Sequence, residues 1–100
     1  MYNLLVYEWD EAKRKANLEK HGLDFADAHL VYENPGKVTL PTTYSIEKRW
    51  QDVAIVETHG ATLVLIYTIR DTTVRVVSFR RASREERKAY ETDQVRSADK

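Results

Sequence analysis

Cysteine is absent from the 100 residues, which excludes disulfide staples, thiol chemistry and the structural zinc sites built on cysteine pairs. Net charge is absent too: 16 Lys and Arg balance 16 Asp and Glu. The chain therefore lacks the broad positive field on which indiscriminate nucleic-acid binding rests. No apolar run approaches the ~20 residues needed to cross a bilayer. The opening MYNLLVYEWD has neither a basic leader nor a small-residue cleavage site, so it reads as a strand rather than a signal peptide. The three histidines, His21, His29 and His59, stand apart without metal-ligand spacing. These absences point to a soluble single domain, compatible with the expected cytoplasmic location, and no metal or cofactor is expected.

What is present is uneven. Residues 1–50 carry seven basic and eight acidic side chains and residues 51–100 carry nine and eight, yet residues 70–88 hold seven basic against three acidic. That stretch contains Arg70, Arg75, Arg80, Arg81, Arg84, Arg87 and Lys88. Guanidinium groups at such density suit an anion or phosphate surface.

Hydrophobic periodicity places these residues on elements. Residues 2–7 read as a strand, and Asp10 caps a helix over 11–20 that Gly22 ends. Asp24 caps a second helix over 25–33, whose buried face is Phe25, Ala28 and Tyr32 and which Pro35-Gly36 breaks. Strands follow over 37–40, 50–57, 62–69 and 74–80, joined by the loop 41–48, a turn at His59-Gly60 and a turn at Asp71-Thr72. Ser83 caps a last helix of about two turns, with Glu86 at the capping-box position. The expected fold class is α+β: two N-terminal helices packed on a mainly antiparallel sheet, with a short C-terminal helix. The domain is expected over 1–91, with 92–100 as a flexible tail.

In the last hairpin, residues whose numbers sum to 143 should stand opposite one another. One face then carries Leu63, Leu65, Tyr67, Ile69, Val74 and Val76 and packs under the helices. The other carries Val64, Ile66, Val77 and Phe79, flanked by Thr68, Arg70 and Arg75 at the turn end and by Arg81 at the other. Little of this second face has an obvious internal cover, so an exposed apolar patch that takes a partner chain is expected, unless the tail or last helix covers it.

A resemblance runs along most of the chain. Glu8-Trp9-Asp10, Lys13, Asn17 and Lys20-His21-Gly22, then Phe25, Asn34-Pro35 where Asp-Pro is usual, Glu47-Lys48-Arg49 and the run YTIRDTTVRVVSFRRASREERKAYE resemble in order the BrnT family of bacterial toxins. The resemblance implies a RelE-like fold and the toxin half of a type II toxin-antitoxin pair. It further implies RNA as substrate, cleavage that inhibits translation, and neutralisation by a BrnA-type antitoxin, with operator DNA met only through that antitoxin. A homodimer or a toxin-antitoxin heterotetramer would fit such a system.

Metal-independent RNA cleavage through a 2',3'-cyclic phosphate needs a base for the 2'-hydroxyl, an acid for the leaving oxygen and cations around the developing phosphorane charge. Arg70 and Arg80 are the first candidates for the cations, because each stands where a strand meets a loop; Arg49 and Arg81 come next, with Arg75 and Arg84 as further RNA contacts. Surface arginines pairing with Glu85 or Glu86 would be the alternative. Glu47, Lys48 and Glu86 are the acid-base candidates by type. Tyr90 resembles the C-terminal tyrosine of some RelE-like toxins, or else closes the helix on the sheet. Lys13, Asn17 and His21 recur every four residues as one stripe that either meets RNA or, more in keeping with its place, hydrogen-bonds the sheet and caps the helix. A different class of function also fits the residues: a non-catalytic module whose basic sheet edge binds an acidic protein segment or a DNA complex.

Overall fold

A computed structural model describes residues 6–42 and 48–98. The elements are β1 (Val6–Glu8), α1 (Glu11–His21), a 3-10 turn (Phe25–Asp27), α2 (His29–Tyr32), β2 (Val38–Pro41), β3 (Trp50–Val56), a second 3-10 turn (Glu57–His59), β4 (Ala61–Arg70), β5 (Thr73–Arg81) and α3 (Arg84–Ala98). The strands form one five-stranded sheet in the order β1-β5-β4-β3-β2. Strands β2 to β5 make an antiparallel meander, and β1 joins the edge of β5 in parallel. The fold is α+β with a mixed, mostly antiparallel sheet, as its pattern predicts. The expected strand over 2–7 is seen from Val6 onward; its first residues lie outside the described ones.

Caps account for both long helices. Asp10 accepts from the backbone N–H of Ala12 and Lys13, and Gly22 closes α1 in the left-handed region at φ 71°, where a Cβ would be strained. At α3 the Ser83 N–H donates to Glu86 Oε1 at 2.8 Å and the Glu86 N–H donates to Ser83 Oγ at 3.2 Å, a reciprocal capping box. That helix runs 15 residues to Ala98, four turns where about two are expected, because nothing in TDQVRSA breaks it. The second expected helix is instead a 3-10 turn followed by four α-helical residues. Asp24 spends its side chain on the Ala26 N–H, which tightens the first turn, and Phe25, Ala28 and Val31 are buried. Tyr32 is only half-buried, at the edge of that core.

One bulge decides which side chain faces where. From Arg70↔Thr73 to Tyr67↔Val76 the hairpin keeps the expected register, but Ile66 pairs with Ser78 and Leu65 with Phe79. Val77 is the extra residue, so every side chain beyond it changes face. Phe79, expected on the second face, joins Leu63, Leu65, Val74 and Val76 in the main core under the N-terminal helices. Arg80 and Arg81 exchange sides with it: Arg80 pairs with Val64 and Arg81 with Leu63. Ile69 does not pack under the helices as expected, since it stands at the hairpin tip, beyond their reach, 41% exposed.

The second face is not the open apolar patch the sequence suggests. Helix α3 lies across it, and Ala82 and Tyr90 form a smaller core with Val38, Val53 and Val64. The Tyr90 hydroxyl donates to the Gly36 carbonyl at 3.2 Å, tying the helix to the entrance of β2. We refer to the face under the N-terminal helices as inner and to the face under α3 as outer.

Both edges of the sheet are finished by an asparagine amide. Past β1, the Asn17 side chain donates to the carbonyls of Phe79 (2.7 Å) and Leu23 (3.0 Å) and accepts from the Phe79 N–H (3.2 Å). It does for β5 what a neighbouring strand would do. On the opposite edge Asn34 donates to the Ile55 carbonyl at 3.2 Å and accepts from the Gly36 N–H at 2.8 Å. An aspartate at this position could accept from Gly36 but could not donate to Ile55.

Candidate nucleic-acid interface

The register lays out the outer face as rows. Along β4 it carries Val64, Ile66, Thr68 and Arg70. Opposite these stand Arg80, Ser78, Arg75 and Thr73 on β5, and Val53 and Gln51 oppose Val64 and Ile66 on β3. Arg49 immediately precedes Trp50, whose ring packs on the inner core, so alternation puts Arg49 on the outer face beside Gln51. Arg49, Arg70, Arg75 and Arg80 thus share one face, interspersed with Gln51, Thr68 and Ser78. Arg70 and Arg80 are six positions apart along the hairpin, about 20 Å at ~3.3 Å per residue. They can serve different phosphates of one strand but not the same phosphate.

Arg80 is held rigidly. Its Nη1 and Nη2 donate to Glu86 Oε1 and Oε2 at 2.6 and 2.8 Å, and Glu86 Oε2 also accepts from Gln51 Nε2 at 2.6 Å. The Arg80 contact first, with the Ser83 N–H added, pulls the Glu86 carboxyl down to about 2 against the opposing effect of burial. Such a carboxylate is a poor proton acceptor near neutrality, so Glu86, an acid-base candidate by type, acts as the clamp on Arg80 and the start of α3. The Glu86 contact in turn holds the Arg80 guanidinium protonated, and its Nε edge makes no intramolecular hydrogen bond among the described residues.

Arg49 is different. Its Nε is buried and has no hydrogen-bond partner among the described residues, a condition that costs about 1–3 kcal/mol for a donor shut away from water. Next to it the Lys48 ammonium sits 4.5 Å over the Trp50 ring. Glu47 lies outside the described residues. Arg75 meets Glu8 of β1 at 3.6 Å.

The remaining candidates gather elsewhere. Arg81 donates to the His21 carbonyl at 3.4 Å, which places it with the C-terminal end of α1 on the inner side. His21 is held below its ordinary value, by burial first and then by Lys20 and Arg80, so the neutral imidazole prevails there at physiological pH. Arg84 is exposed at the first turn of α3 and Lys13 is exposed two turns before His21. Asn17, the middle of their stripe, faces the sheet. Tyr90 is 8% exposed, with its hydroxyl turned to Gly36 rather than to the arginine rows.

The sequence reading passes over two groups of polar residues. Gln51 and Ser78 complete the outer rows, and alternation with the arginines is the signal that could have found them. On the inner face Asp52 is fully buried, accepting from Lys37 Nζ and Thr39 Oγ1 at 2.7 Å each and from Tyr67, whose hydroxyl is pushed up by burial and then by this carboxylate. Among the described residues no three His, Asp or Glu side chains converge as a metal ion would require. No helix among them is long and apolar enough to cross a membrane.

This layout, an arginine-bearing sheet face crossed by a C-terminal helix, coincides with a family match. The model for the ribonuclease toxin BrnT of type II toxin-antitoxin systems matches residues 9–86. The chain belongs to the BrnT toxin family. Membership implies ribonuclease activity, an RNA substrate and a cognate antitoxin. The matched span begins at Trp9 and ends at Glu86, so it takes in the BrnT-like E-K-R and R-R segments and stops at the residue that clamps Arg80. Among curated proteins none matches the chain.

Proposed function

We propose that this BrnT-family chain is a metal-independent endoribonuclease that binds RNA along the outer face of the β4–β5 hairpin and leaves a 2',3'-cyclic phosphate, inhibiting translation until a BrnA-type antitoxin neutralises it. The observation that carries the reading is the orphan Nε of Arg49, a buried donor beside a row of other cations. The Nε is closed even to water, so it takes a phosphate oxygen only when RNA binding opens it, and the phosphorane that forms during 2'-hydroxyl attack then carries more charge for the guanidinium to stabilise. Arg70 and Arg75 line the track on one side of that position, and Arg80, aimed by Glu86, lies on the other. Glu47 and Lys48 flank Arg49 in the chain and are by type the groups able to take and give the two protons. Arg84 and Lys13 extend the cationic surface toward α1 for the flanking nucleotides, and the neutral His21 adds a hydrogen-bonding ring there.

The test is incubation of the purified protein, free of antitoxin and with excess chelator, with a defined single-stranded RNA. Cleavage with cyclic-phosphate ends is expected, reduced about 100 to 1,000-fold by Arg49→Ala. Cleavage that requires added divalent metal, or that survives Arg49→Ala unchanged, would overturn the assignment.

A further inference from the structure

Helix α3 divides the outer face in two. On the side of Glu86 lie the arginine rows; on the side of Arg87 lies a cavity of about 360 Å³ lined by Ile55, Ala61, Thr62, Ala82, Arg81 and Arg87, next to the left-handed turn at Gly60. Its size is near the low end of the ~300–1,000 Å³ range of ligand pockets, enough for one or two side chains.

Its chemistry differs from that of the rows. Ile55 stands on β3 beside Thr62 of β4 and is 51% exposed, whereas its outer-face neighbour Val53 is fully buried beneath α3. Among the described residues the Arg81 side chain donates to the His21 carbonyl and that of Arg87 to the Ala82 carbonyl, each at 3.4 Å. Neither arginine has a carboxylate partner among the described residues. An apolar floor with the unneutralised Arg87 guanidinium at its rim is poorly matched to RNA. Phosphates gain nothing from an isoleucine, and no aromatic ring lines the cavity to stack a base. A protein segment that inserts one apolar side chain and brings carboxylates to the rim satisfies both features.

We propose that this groove is the docking site for the cognate antitoxin, which fills it with an apolar side chain flanked by acidic residues. The proposal rests on the antitoxin partnership that family membership implies. It separates the contact that anchors the antitoxin from the surface that holds RNA, with α3 as the wall between them.

The test uses the whole protein and the antitoxin produced from the adjoining reading frame, titrated by calorimetry against the wild type, Ile55→Glu, Arg87→Glu and a Leu18→Glu control. Leu18 is an exposed apolar residue of α1, away from the groove. Ile55→Glu and Arg87→Glu are each expected to weaken antitoxin binding at least about tenfold, with Leu18→Glu unchanged and with affinity for a short single-stranded RNA unchanged in Ile55→Glu. Ile55 is half exposed, and circular dichroism checks that its variant remains folded; Arg87→Glu reads the same rim without touching the floor. Wild-type antitoxin affinity in both groove variants would overturn the proposal while leaving the partnership intact. Loss of RNA affinity in Ile55→Glu with antitoxin binding retained would overturn it in favour of an RNA subsite. Failure of the wild type to bind that antitoxin would overturn the partnership and the proposal together.

Discussion

The inner and outer faces of this sheet carry polar groups in opposite states. Inside, the Asp52 carboxylate is walled off from solvent but accepts from Lys37, Thr39 and Tyr67, and Tyr7, Tyr32 and Tyr67 meet edge to face at centroid distances of 6.0 and 5.1 Å. Outside, Arg49 keeps a buried Nε without an acceptor among the described residues while Arg80 two strands away is fastened by two hydrogen bonds to Glu86. A buried ion satisfied on every side serves the fold, because removing any partner leaves a charge uncompensated. A cation left short of an acceptor costs stability, and under the proposed function an RNA phosphate would supply the missing bond. The contrast separates satisfied from unsatisfied charge more sharply than exposure does.

The widest break in that contrast is expected at Asp52. Asp52→Ala strands Lys37 and leaves a hole beneath Tyr67, and should lower unfolding free energy by about 3–5 kcal/mol in urea titration. RNA cleavage by the folded fraction should stay near wild type, and a comparable loss of cleavage would erase the distinction between the faces.

Next in size is the pH dependence of the Arg80 clamp. The folded-state value of Glu86 is depressed to about 2 from 4.5, so its stabilisation is complete above the unfolded value and disappears as pH falls through the range between them. The two values correspond to about 3 kcal/mol. Glu86→Gln keeps an acceptor for the Ser83 N–H but not the charge. It should be less stable than wild type at pH 6, with the gap closing toward pH 2; a gap constant with pH would show that the pair contributes no charge-dependent stability.

The smallest effect is expected at Tyr90. Tyr90→Phe keeps the ring in the outer core and removes only the bond to Gly36, for about 1 kcal/mol of stability and little change in cleavage. A large loss of cleavage with normal stability would instead move this hydroxyl into the active site.

Much of the architecture is legible in the sequence because local chemistry dictates it. Asp10 and Gly22 bracket α1, Ser83 and Glu86 start α3, and alternation with a polar turn sets the first four pairs of the β4–β5 hairpin. The Val77 bulge is not legible, since no glycine marks it and a valine suits either register. Its consequence is large, because it decides that Arg80 rather than Arg81 shares a face with Arg70. The cover over the outer face is also hidden in sequence: Ala82 and Tyr90 look too sparse to shield three valines until Tyr90 is seen spanning from Val64 to Gly36. The chemical type of the site, guanidinium groups near strand ends, is visible early. What needs three dimensions is the distinction between Arg80, held by Glu86, and Arg49, whose buried Nε has no partner among the described residues.

The position of α3 in the chain has a consequence for biosynthesis. All five strands precede it, so the valines at 38, 53 and 64 emerge from the ribosome before the helix that shields them. Until that helix packs, these valines form an uncovered apolar surface and the carboxylate that aims Arg80 is not in place. A chain interrupted before residue 84 would therefore lack both the cover over this apolar surface and the carboxylate that holds Arg80.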